Sequence, residues 1–94
     1  MADIDPMAAI EKELQAERAS ALGEAGRKVE KMLAAFRDSE TEETRDELAT
    51  AVWYFMIVRE SLSMFDHAAA FAIYGIPDRV IARVGILKRD PSLK

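Results

Sequence analysis

His67 is the single histidine in the 94 residues. It stands seven residues after Glu60 and next to Asp66. On a helix, that spacing puts His67 and Glu60 on one face, with Asp66 on its flank. An imidazole beside carboxylates suggests a metal site or acid–base chemistry. A helical metal site, however, needs several converging ligands, typically Glu-x-x-His on facing helices. Met64 occupies the position where that Glu would stand, and there is no second histidine. The expectation is therefore no metal, unless two copies bring their His67 side chains together. The plainer role is a polar member of an interface, whose protonation would tune association near neutral pH. No phosphate-binding loop, zinc spacing or nucleophile motif is present, and no cofactor is expected. The absence of cysteine excludes disulfides and thiolate chemistry and leaves the compartment open.

Three other constellations carry residues capable of function. Gly23-Glu24-Ala25-Gly26-Arg27-Lys28 resembles the Gly-x-x-Gly loop of KH RNA-binding modules, but those need strands beside the loop and the pattern here is helical. Phe71 to Val84 reads as helix-turn-helix, with Gly75 in the turn and Asp78–Val84 as recognition helix. Arg79, Arg83, Lys88 and Arg89 make that end basic. Against it, the recognition helix is short and the leading helix very long; the alternative is a helical cap folded back on a bundle. Glu17-Arg18 followed by Lys28 in a long first helix is similar to helical chorismate mutases, over the first third of the chain. That resemblance implies that Arg18 and Lys28 bind substrate carboxylates and that an Arg-Glu pair opens the second helix, where Arg45-Asp46 stands here. The family's longer third helix has no counterpart, and such a charged site needs its groups to converge.

Composition limits these readings. Half of the residues are hydrophobic and 32% are charged, which suits a globular chain. Its size fits one small domain, burying roughly 60–70% of the unfolded surface, so a partner subunit would help. The net charge of −4 argues against a protein built mainly to hold nucleic acid. No apolar run approaches the roughly 20 residues needed to span a bilayer, and the acidic start lacks the apolar core of a signal peptide. A cytoplasmic protein with no membrane contact is expected.

The elements that must position these residues are helices. Asp5-Pro6 is a start signal, Asp as cap and Pro at the first helical position. A helical pattern then runs over 6–37, either continuous through Gly23–Gly26 or kinked there. The small residues Ala16, Ala19, Ser20, Gly23 and Gly26 on one flank suggest the close approach of another backbone. Asp38 to Glu47 is an acidic hinge. Ser39 with Glu42, or Thr44 with Glu47, has capping-box spacing. The run is read as a helix start and solvated turn, the alternative being a patch for a basic partner. From Leu48 to Ile76 the apolar residues step by threes and fours: Leu48, Ala51, Phe55, Val58, Leu62, Phe65, Ala69, Ala72, Ile76. This predicts one helix over 41–74, ended by Gly75 and followed by Pro77. A short helix over 77–84, stopped by Gly85, and a tail over 85–94, partly docked through Ile86 and Leu87, complete the chain. The fold class is all-α: a long antiparallel helical hairpin with a short C-terminal helix.

The second long helix has a further apolar face made by Trp53, Ile57, Met64 and Phe71. Leaving these four in water forgoes roughly 6–12 kcal/mol, comparable to the stability of a whole small domain. A homodimer, two hairpins forming a four-helix-type bundle, is the expected remedy; a monomer whose first helix bends at its glycines and wraps both faces is the alternative. Arg59 and Asp66 sit on one flank about 10 Å apart along a continuous helix. An antiparallel two-fold near Leu62 and Ser63 would pair Arg59 with Asp66 of the second copy. It would also set Trp53 against Phe71 and Ile57 near His67. The expected interface is thus Trp53, Ile57, Arg59, Met64, Asp66, His67 and Phe71. The function read from the chain is a small non-catalytic, homo-oligomeric interaction module, with an unidentified protein partner left open.

Overall fold

The computed structural model of the chain describes residues 5–89, with side chains through residue 85. Those residues form four α-helices and no strand: α1 (Pro6–Asp38), α2 (Glu42–Ser61), α3 (His67–Tyr74) and α4 (Asp78–Arg89). The all-α expectation holds. None of the helices is long and apolar enough to cross a membrane.

α1 opens as its sequence requires. Asp5 caps it by accepting from the Met7 amide at 3.0 Å, and Pro6 fills the first helical position. The helix runs unbroken through Gly23 and Gly26. It ends at a three-residue link, Ser39–Thr41, and α2 returns antiparallel along it. Neither expected capping box opens α2. Thr41 accepts from the Thr44 amide at 3.0 Å, and the Thr41 amide donates to Thr44 Oγ1 at 2.9 Å. A threonine replaces the usual Glu because its hydroxyl can also donate, here to the Ser39 carbonyl at 2.6 Å.

One core holds the bundle. Ala25, Val29, Leu33 and Phe36 of α1 meet Leu48, Val52, Phe55 and Val58 of α2, and Val80 and Val84 of α4 close the hinge end. Leu48, Val29, Val52 and Val80 lose essentially all contact with water.

The continuous helix expected over 41–74 is broken. α2 stops at Ser61, and Ser63 takes a left-handed conformation (φ 60°). The Met64 amide bonds back to the Arg59 carbonyl at 3.0 Å and the Ser63 amide to that of Glu60 at 3.0 Å. That pairing closes a helix with a left-handed residue just past its end. Asp66 then starts α3 by accepting from the Ala69 amide at 3.2 Å. The same device ends α3 at Gly75 (φ 71°), where the Ile76 amide reaches the Phe71 carbonyl at 3.0 Å. The Gly75 stop was expected; the Ser63 stop was not.

Two further boundaries are corrected. α4 passes through Gly85 to Arg89, so the helix expected over 77–84 is longer and residues 85–89 of the expected tail are helical. Gly85 sits next to the buried Val84, and a glycine inside a helix costs only up to about 1 kcal/mol, which core burial offsets. The expected docking of Ile86 and Leu87 concerns side chains outside the described residues, as does the tail over 90–94.

The break has a large consequence for α1. α1 has 33 residues and α2 only 20, lengths of about 50 and 30 Å. With α2 cut short, Pro6–Ser20 projects past it, exposed at every position. The molecule is accordingly elongated, 61 × 29 × 22 Å.

Candidate interaction surface

The projecting half of α1 carries Met7, Ile10 and Leu14 at steps of three and four, all on one face and all exposed. This stripe continues the face that, from Ala25 onward, packs on α2. It is open because nothing remains of α2 to cover it. On the outer side of α2, Trp53 and Ile57 are exposed, as are Met64 and, at 67%, Phe65 in the turn that follows. Ile73 of α3 is 84% exposed, more than any other large apolar side chain described. Phe71 differs from its three expected companions. It is half-buried, packed against the core, with its ring stacked on His67 at 6.3 Å between centroids.

Arg59, Asp66 and His67 meet within one chain. Arg59 donates from Nη2 to the Asp66 backbone carbonyl at 2.9 Å and from Nε to His67 Nδ1 at 3.4 Å. Its guanidinium lies over the Phe55 ring, 5.8 Å from the centroid. His67 Nε2 stands 2.8 Å from Glu60 Oε2. With Nδ1 accepting, the neutral ring carries its proton on Nε2 and donates it to Glu60. The separation of about 10 Å that motivated an Arg59–Asp66 pair between copies belongs to a continuous helix. The turn at Leu62–Asp66 removes it, so Arg59 bridges α2 to α3 instead. Among the described residues, no group of three or more His, Asp or Glu is placed to hold a metal.

Two residues of the basic C-terminal end, Arg79 and Arg83, pair with the acidic hinge. Arg83 Nε donates to Asp46 Oδ1 at 2.9 Å, and Arg79 pairs with Glu40 while its guanidinium lies 5.1 Å from the Phe36 ring centroid. Arg37 of α1 donates to the Gly75 carbonyl at 3.4 Å. These contacts were not read from the sequence. The signal for them was charge complementarity between an acidic link and a basic end that a hairpin could bring together. Arg18 and Lys28 do not converge within one chain. Arg18 stands exposed on the projecting helix, whereas Lys28 borders an open groove beside Glu43 and Glu47.

The flank of small residues has a partner. Gly26 is buried, and a Cβ built on it would lie 2.6 Å from the Tyr74 hydroxyl oxygen. A side chain of α3, not a backbone, fills that space. Tyr74 rests edge-on against Phe55, with centroids 5.4 Å apart. Beside it, Leu22, Gly23 and Gly26 of α1 face Ala70, Ile73 and Tyr74 of α3 across a shallow groove.

A family model described as "Family of unknown function (DUF6665)" matches residues 3–92. No curated protein and no solved structure matches the chain.

Proposed function

The chain belongs to the DUF6665 family, and we propose that it is a small non-catalytic helical assembly module that works as a homodimer. The supporting observation is the apolar surface left in water: Met7, Ile10 and Leu14 on α1, Trp53 and Ile57 on α2, and Met64 and Phe65 in the turn. Monomeric proteins expose single apolar side chains freely, but aligned sets of them mark contact surfaces. A projecting helix of about 15 residues is also marginal in water by itself and gains from a partner.

Trp53 is the single tryptophan and reports on its own face. The test is its fluorescence across a dilution series. Assembly predicts a shielded indole at high concentration and a solvent-like one at low. Ile57→Glu should give the solvent-like signal throughout while keeping its helical circular dichroism. An indole equally exposed at every concentration would reject the reading.

A further inference from the structure

The heptad stripe changes its surroundings at the break. Upstream, Leu48, Ala51, Phe55 and Val58 are buried against the core. Downstream, Phe65, Ala69 and Ala72 of the same stripe are exposed. The matching part of α1, Met7, Ile10 and Leu14, is exposed as well. The two open halves complement each other. Glu42 to Tyr74 spans as many residues as α1. Continued straight in the antiparallel register of the hairpin, it would set Phe65 on Leu14, Ala69 on Ile10 and Ala72 on Met7. What prevents this is a turn held by a non-glycine residue in the left-handed region, Ser63.

We infer that the chain dimerises by exchange: the Leu62–Asp66 turn straightens, α2 and α3 fuse into one helix along the whole of α1, and α4 docks on a second copy. A straightened helix delivers α4 to the far end of α1, remote from its own Glu40 and Asp46. A second copy running antiparallel presents its hinge there. Arg79 and Arg83 then meet that copy's acidic link, and Val80 and Val84 its core. The contacts that α4 makes in the bent chain are remade between copies, and the α1 stripe is covered in addition, in place of the Arg59 bridge to Asp66 and His67 and of the Tyr74–Gly26 contact, which belong to the bent form. Short turns joining packed elements are common hinges for such exchange. This inference rests on the homodimer reading and specifies how the α1 stripe is covered within it.

The test uses the full chain with Glu40→Cys and Arg79→Cys, the only thiols then present, and a short bis-maleimide. Exchange predicts cross-links between chains, giving covalent dimers. Phe65→Pro forbids the straight helix, since proline supplies no amide there, and removes none of the backbone hydrogen bonds of the turn, which come from the Leu62, Ser63, Met64 and His67 amides. In that background, cross-links should form within chains, and dimer Kd should rise at least tenfold. Should Phe65→Pro fold poorly by circular dichroism, Ser63→Gly, which favours the left-handed turn, should shift both readouts the same way. A dimeric mass with cross-links only within chains would overturn the exchange and leave the homodimer standing. A monomeric mass with cross-links only within chains would overturn both.

Discussion

The Tyr74 hydroxyl of α3 occupies the place where a side chain at residue 26 of α1 would begin, 2.6 Å from an ideal Cβ on Gly26. The contact fixes how closely α3 lies on α1. It also explains a buried glycine in mid-helix, where propensity alone would favour alanine by up to about 1 kcal/mol.

Gly26→Ala should therefore destabilise the chain by about 1 kcal/mol, the overpacking cost exceeding the propensity gain. Adding Tyr74→Phe removes the clashing oxygen, so the double variant should recover most of the loss. Urea denaturation of the four forms measures this coupling. A Gly26→Ala chain as stable as the parent would show that Tyr74 moves aside freely.

The two left-handed stops make opposite predictions. Ser63→Gly should stabilise the bent chain by up to about 1 kcal/mol, because glycine adopts positive φ without a Cβ penalty. Gly75→Ala should cost about 1–2 kcal/mol, and its new Cβ would also approach Arg37 Nη2 at 3.2 Å. Thermal or urea unfolding distinguishes the two directions.

Arg59 ties α3 to α2 through the Asp66 carbonyl and the His67 ring. Arg59→Met keeps much of the packing volume and removes the donors, and should cost about 1–2 kcal/mol. Amide exchange should accelerate more over His67–Tyr74 than over Leu48–Val58. Equal acceleration in both segments would argue against a local clamp.

At the other end, Arg83 and Arg79 should not be equivalent. Arg83 reaches Asp46 from a half-buried position, whereas the Arg79–Glu40 pair is mostly exposed. Arg83→Ala should cost about 1 kcal/mol. Arg79→Ala should cost less through its ion pair, any larger loss coming from its position over Phe36. Adding salt should reduce the Arg79 contribution first.

Much of the fold was legible because its signals are local. Asp5-Pro6 marks the start of α1, Gly75 marks the end of α3, and the spacing of Val29, Leu33 and Phe36 identifies the buried face. The break at Leu62–Asp66 was hidden for a physical reason. The stripe passes through it in phase with Leu62 and Phe65, and the left-handed residue is a serine rather than a glycine. Its one local signal is the polar set Ser61, Ser63 and Asp66, with Asp66 three residues before an amide that it caps. Of the residues expected at an interface, Trp53, Ile57 and Met64 stand open on the single chain. Arg59, Asp66 and His67 are joined within it, and Phe71 is turned toward the core. A contact made by a turn cannot be read from a pattern that predicts no turn.

The most direct measurement is the mass of the unmodified chain in solution, by sedimentation or light scattering over a range of concentrations. Self-association through the open stripes predicts twice the chain mass of 10.5 kDa, falling toward 10.5 kDa on dilution. A mass of 10.5 kDa at every concentration, including those at which the helices are fully formed, would contradict it.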